Sequence, residues 1–180
     1  MVQIGILTTY DPVPLEVVKA TMKVGQELAK RGCVVITGGN GGLMTVISEA
    51  VVKAGGTTVG ILARELEDIA PDHEWYNPYN RIKIKTGQTF TARSSIVVRS
   101  SDAVIIIAGG VGSLTEVAIA YNLRKPIVAL TGTGMMADKL AEIFPDGCLD
   151  HRKLCKIHYV NDPKEAVATA IRLAEENMNF

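Results

Sequence analysis

Five consecutive apolar residues, Ala103-Val104-Ile105-Ile106-Ile107, stand between Asp102 and the triplet Ala108-Gly109-Gly110. The run is too short for a helix, rich in β-branched side chains and without polar alternation. That is the signature of a strand covered on both faces, which occurs when helices pack on either side of a parallel sheet. The rest of the chain agrees. Strand patterns at Val2–Leu7, Cys33–Ile36, Thr57–Leu62, Arg81–Lys85, Pro126–Leu130 and Ile157–Val160 alternate with helical patterns at Pro14–Lys30, Gly42–Ala54, Phe90–Ser100, Leu114–Leu123, Met135–Ile143 and Pro163–Asn177. Repeated strand–helix alternation predicts an α/β fold of the Rossmann-like, doubly wound class, a mainly parallel sheet of about seven strands with helices on both faces. Residues 1–180 read as one such domain, since the chain shows no repeat, low-complexity tract or linker.

Composition narrows the function. The 19 basic and 19 acidic residues cancel, so the chain lacks the electrostatic footprint of a nucleic-acid or membrane-surface protein, and neither partner is expected. No apolar run approaches the roughly 18 residues of a membrane span. The first residues read as a strand and not as a signal peptide, and three cysteines fit a reducing compartment better than a disulfide framework. The expectation is a cytoplasmic protein. Cys148, His151, Cys155 and His158 loosely echo a zinc spacing but depart from finger patterns, so no metal site is expected. Met135-Met136 reads as core.

Two glycine clusters carry the functional signal. One follows the second strand, Gly38-Gly39-Asn40-Gly41-Gly42-Leu43-Met44. The other follows Ile107, as Gly109-Gly110-Val111-Gly112-Ser113-Leu114-Thr115-Glu116. Glycines between a strand and a helix bring bare N–H groups and the positive helix end to a ligand at the carboxyl edge of the sheet, so a phosphate is the natural guest. Ser113 is a candidate cap and hydroxyl donor. Thr8 and Thr9, at the end of the first strand, lie at the same edge. That first turn has no G-x-G-x-x-G pattern, which argues against a standard NAD site, and no G-x-x-x-x-G-K-[ST] segment exists. Glu116 is out of place beside an anion unless it serves another purpose. Tyr10, Trp75, Tyr76 or Tyr79 could stack on a flat ring.

Taken together, T-G-G-N-G-G-L-M-T at Thr37–Thr45 and A-G-G-V-G-S-L-T-E at Ala108–Glu116 resemble the paired motifs of the Lonely Guy (LOG) and lysine-decarboxylase-like superfamily. Asn77-Pro78-Tyr79, Thr86-Gly87 and Ala92-Arg93-Ser94 are similar to the branch that holds the molybdenum-cofactor carrier proteins. The resemblance implies that Arg93 and Glu116 are a catalytic pair. It further implies that Thr8, Thr9, Gly38, Gly39, Gly42, Leu43, Met44, Gly109, Gly110, Val111, Gly112 and Ser113 contact the ligand. Two functions follow from it. One is hydrolysis of the N-glycosidic bond of a nucleoside 5′-monophosphate, needing no cofactor. The other is carriage of molybdopterin without turnover. A third class, a non-catalytic sensor of an AMP-like nucleotide, stands beside these two. Where the superfamily patterns have lysine or asparagine after the arginine, this chain has Ser94. Nothing supports a pyridoxal-phosphate decarboxylase. The resemblance also implies a homodimer or homotetramer, with the helix carrying Arg93 as a contact.

Overall fold

The computed structural model of the chain describes residues 1–178. In chain order the elements are β1 (Gln3–Leu7), α1 (Leu15–Lys30), β2 (Val34–Thr37), α2 (Leu43–Lys53), β3 (Thr57–Leu62), a 3-10 turn at Arg64–Leu66, and β4 (Ile82–Lys85). They continue as α3 (Phe90–Arg99), β5 (Ala103–Ile107), α4 (Val111–Asn122), β6 (Ile127–Leu130), α5 (Met135–Ile143), β7 (Ile157–Val160) and α6 (Pro163–Met178). The seven strands form one sheet in the order β4-β3-β2-β1-β5-β6-β7. Each neighbouring pair runs parallel. This is the α/β Rossmann-like architecture that the alternation predicts.

The pleat of the central strands sorts the core into two layers. Ala103, Ile105 and Ile107 pack with α1, α2 and α6, through Val24, Leu28, Ile47, Val51 and Val167. Val104 and Ile106, on the other side, meet Val97, Val98, Val117 and Leu140 of α3, α4 and α5. Removing one such side chain, Ile106→Ala for example, would cost about 2–5 kcal/mol through lost burial and the cavity left behind. Local chemistry sets the helix ends. Pro14 precedes α1 with φ −57°, and Gly32 follows it at φ +70°. Asp162 accepts hydrogen bonds from the backbone N–H of Lys164 and Glu165 and caps α6.

Two local expectations need correction. Helix α4 begins at Val111, three residues before the apolar periodicity starts, so Gly110 stands at its N-cap and Ser113 lies inside the first turn. Ser113 therefore caps nothing; its hydroxyl donates to the carbonyl of Thr8 (3.1 Å) and ties α4 to the end of β1. Met135 is not core, being 38% exposed at the start of α5, while Met136 is half-buried. The cysteine–histidine segment is a tether: Tyr121, fully buried, donates its hydroxyl proton to Asp150 (3.0 Å) and accepts from the Leu154 N–H. Among the described residues no group of three or more His, Cys, Asp or Glu side chains could hold a metal ion, and no helix is long and apolar enough to cross a membrane.

Candidate functional site

The strand order reverses direction at β1. From there β2, β3 and β4 extend one way, and β5, β6 and β7 the other. A doubly wound sheet opens a crevice at such a point, beyond the carboxyl ends of the two strands. A cleft of about 610 Å³ lies there. Its walls come from the turn after β1 (Thr8 to Asp11), the first glycine loop (Gly38, Asn40, Met44), α3 and the second glycine loop with the start of α4.

Of the residues expected to contact a ligand, Thr8, Thr9, Gly38, Met44, Gly110, Val111, Gly112 and Ser113 line this cleft, as do Arg93 and Glu116. Gly39, Gly42, Leu43 and Gly109 do not. Packing accounts for two of them. Gly42 has φ +63°, and a β-carbon there would lie 2.2 Å from the Tyr10 Cα; a β-carbon on Gly39 would lie 2.4 Å from Leu62. The Leu43 N–H, at the start of α2, already donates to the carbonyl of Thr9 (3.1 Å). The two threonine hydroxyls are also engaged, Thr8 with the Ile107 carbonyl (2.8 Å) and Thr9 with Asp11 (2.6 Å).

The second loop differs. No side chain caps α4. Gly110 and Gly112 line the cleft, yet a β-carbon built on either meets no atom within 4 Å. Neither has a positive φ. No conformational demand and no protein neighbour requires glycine there, so the vacant volume is free for a guest to approach the helix end. Uncapped N–H groups and the helix dipole give that end a positive electrostatic character.

Arg93, from α3, and Glu116, from α4, face each other across the cleft wall, with Nη1 3.9 Å from Oε1. Both are buried, at 6% and 8% exposure. The pair is close enough to interact but too long for a hydrogen bond, so each charge is only partly compensated. Burial pushes the Glu116 carboxyl up to about 7, against the opposing pull of Arg93 and a hydrogen bond with Ser94. Burial likewise pulls the Arg93 guanidinium downward, against Glu116 and Glu65. The Arg93 Nε has no hydrogen-bond partner. Two buried ionisable groups, one carrying an unused donor, thus border the open cleft, an arrangement in which perturbed titration and function often coincide. Ser94 is buried in the same wall, so the residue that departs from the superfamily patterns sits on the carboxylate itself.

Tyr10, Trp75 and Phe90 form an aromatic side of the cleft; Trp75 packs edge-on to Tyr10 (6.1 Å between centroids) and to Phe90 (5.9 Å). Tyr76 and Tyr79 point elsewhere, Tyr76 toward Lys83 and Tyr79 to a hydrogen bond with Glu49. Sequence reasoning missed Asp11, Asn40, Phe90, Thr91 and Thr115, which also line the cleft. Asn40 sits inside a glycine cluster and could have been found. Asp11 follows a strand whose turn has no glycine, and carries no such signal.

A parallel seven-strand sheet with an arginine and a glutamate at paired glycine loops defines a Rossmann-like protein of the LOG-like superfamily. Within it, the chain belongs to the SLOG cluster4 family, which matches residues 1–167. An uncharacterised protein of Archaeoglobus fulgidus is 34% identical over 130 residues, 72% of this chain and 80% of that protein. A cytokinin riboside 5′-monophosphate phosphoribohydrolase of Mycobacterium tuberculosis is 28% identical over 125 residues; the match spans 66% of this chain and 62% of that enzyme. Among solved structures, TM1055 superposes with a TM-score of 0.83 at 34% identity, covering 98% of this chain and 99% of that one. The molybdenum cofactor carrier protein of Chlamydomonas reinhardtii does so with a TM-score of 0.77 at 25% identity, covering 96% and 98%. DNA processing protein A of Helicobacter pylori, at 19% identity and a TM-score of 0.66, shares the fold alone.

Proposed function

We propose that the cleft binds a nucleoside 5′-monophosphate and hydrolyses its N-glycosidic bond, releasing free base and ribose 5-phosphate. The observation that carries this reading is the joint one. A buried Arg93–Glu116 pair and an uncapped helix end with vacant glycine positions border the same 610 Å³ space. The amides of Gly110, Val111 and Gly112 hold the 5′-phosphate, with the helix dipole adding to the attraction. The base lies against Tyr10, Trp75 and Phe90, whose ring faces and edges suit a flat heterocycle. Breaking the bond from C1′ to the base nitrogen builds positive charge on the ribose ring, as in glycoside hydrolysis. Ionised Glu116 stabilises that charge and accepts the proton of the water that adds to C1′. The base nitrogen leaves with the bonding pair and takes up a proton from water, while a carboxyl titrating near 7 can return its own proton to solvent at neutral pH. Arg93 restrains the carboxylate and offers its unused Nε donor to the departing base. No metal or organic cofactor enters this scheme.

A second reading keeps the same site without turnover. The carrier neighbour covers nearly the whole chain, whereas the phosphoribohydrolase match spans less of both proteins. A molybdopterin is a flat, phosphate-bearing molecule that meets the same anion site and aromatic wall, as cargo. A nucleotide sensor would use the same contacts. Helix α4 carries one charged residue, Glu116, which is buried, and its half-buried positions outside the cleft, Leu114, Ala118 and Ile119, are uncharged; this favours a homo-oligomer packed through α3 and α4.

The test is chromatographic detection of free base and ribose 5-phosphate after incubating nucleoside 5′-monophosphates with wild type and Glu116→Ala. Release that falls by about 10²–10⁴-fold in the variant supports the hydrolase. Binding without release, or a pterin retained through purification, overturns it in favour of carriage or sensing.

A further inference from the structure

Gly38 is the residue that a backbone argument does not explain. It has no positive φ, so an L side chain would be conformationally permitted. Yet a β-carbon placed on it would lie 2.2 Å from Arg93 Nη1 and 2.8 Å from both Cζ and Nη2. Three atoms of one guanidinium crowd the place where a β-carbon would stand, so that group fills the space the glycine leaves open. The remaining supports of that group are few. The Phe90 ring centroid is 5.9 Å from Cζ, Glu116 Oε1 is 3.9 Å from Nη1, and Nε has no partner. The guanidinium is held by shape and by the charges of Glu116 and Glu65.

We propose that Gly38 is a positioning residue: the side chain it lacks is the seat that keeps the Arg93 guanidinium against Glu116. The first glycine loop thereby acts on the chemistry of the second through Arg93, and not by cradling a phosphate. The seat rests on the packing of Gly38, Arg93 and Glu116; only its effect on turnover rests on the hydrolase reading.

A methyl group at position 38 forces the guanidinium back by about 1 Å to reach ordinary contact. Because the displaced atoms end a flexible side chain, the fold accommodates the change and the site absorbs it. A misplacement of about 1 Å in a reacting constellation can cost on the order of 10²-fold in rate.

The experiment is a double-mutant cycle of wild type, Gly38→Ala, Arg93→Ala and Gly38→Ala/Arg93→Ala. It is read by AMP hydrolysis and by NMR titration of the Glu116 carboxyl in protein labelled with ¹³C-glutamate. Arg93 and Ser94 are the groups that lower the Glu116 titration. Gly38→Ala is expected to reduce hydrolysis about 100-fold and to move the carboxyl titration to higher pH, in the direction of Arg93→Ala. In the Arg93→Ala background the same substitution should change neither readout by more than about twofold, the size of an uncoupled change. A loss of AMP binding or rate caused by Gly38→Ala in that background overturns the proposal, since the glycine would then face the ligand itself. So does a folded Gly38→Ala protein whose carboxyl titrates as in wild type. Should wild type not hydrolyse AMP, the hydrolase reading fails while the carboxyl titration still decides the seat. If Gly38→Ala alone does not fold, a double variant as stable as Arg93→Ala supports the seat, and one that also fails to fold overturns it.

Discussion

The two glycine loops look alike in sequence and do opposite work in space. In the loop after β2, the volume where a side chain would stand is filled by the protein itself. Gly39 faces Leu62, Gly41 faces the Glu74 carbonyl at 2.4 Å, Gly42 faces the Tyr10 backbone and Gly38 faces Arg93. In the loop after β5, the same volume at Gly110 and Gly112 is empty and borders the cleft. A glycine cluster between strand and helix is therefore no guarantee of a ligand loop. What separates an anchoring loop from a receiving one is the occupant of the missing β-carbon's place, and spacing does not encode that.

The comparison breaks most visibly at Gly42. Its φ of +63° and the backbone of Tyr10, 2.2 Å from a would-be β-carbon, leave no soft atom to move. Left-handed strain and overpacking against a main chain together amount to about 4 kcal/mol of lost stability in Gly42→Ala. Urea denaturation should show it as a lower midpoint at unchanged slope. A variant as stable as wild type would mean that the two loops are equally free and the distinction is unfounded.

The next effect is carried by pH. Glu116 rises from 4.5 in the unfolded chain to about 7 when folded, so it binds more protons in the native state. Its contribution is complete below pH 4.5 and is lost as pH climbs through 7, a fall of about 3 kcal/mol across that window. The pull of Arg93 and the hydrogen bond with Ser94 offset the effect of burial only in part. Unfolding free energies measured from pH 4.5 to 8 should decline on this slope in wild type and lose it in Glu116→Gln. Equal slopes in the two proteins would place the carboxylate in a wetter site than the one described.

Some of this was legible in advance and some was not, for identifiable reasons. Ala103–Ile107 announces a doubly covered strand because burial on both faces needs apolar residues at every position, and the strand has those bounds. The start of α4 was obscured because Val111-Gly112 reads as loop; the helix forms there through tertiary packing, against propensity. Arg93 and Glu116 stood out by resemblance. The seating of Arg93 on Gly38 is a long-range contact between helix α3 and the loop after β2 and leaves no local pattern. Met135 read as core from its hydrophobicity, yet α5 enters with Met135 at φ +52° and turns that side chain outward.

The receiving loop has its own test. Gly110 is extended (φ −112°, ψ −152°), a conformation open to alanine, and a β-carbon there touches no protein atom. Gly110→Ala should leave stability within about 0.5 kcal/mol of wild type. It should weaken AMP binding about tenfold, or 1.4 kcal/mol, because the methyl occupies the approach to the helix end. Calorimetric titration alongside thermal unfolding separates the two quantities. Loss of stability without loss of affinity would make this loop another anchor.

Ser113 gives the smallest effect and the finest discrimination. By spacing it belongs to the anion loop, and it lines the cleft. Its single hydroxyl proton, however, is committed to the Thr8 carbonyl at 3.1 Å, a bond that joins the first turn of α4 to the end of β1. A hydroxyl that already donates to the protein has no donor left for a phosphate. Ser113→Ala should then cost about 1 kcal/mol of stability, the net value of one part-buried hydrogen bond. AMP affinity should change by less than about threefold, because backbone N–H groups supply the anion contacts and survive the substitution. A tenfold loss of affinity with unchanged stability would show that the proton turns to the ligand when one arrives, and would move Ser113 from the anchoring side of the comparison to the receiving side.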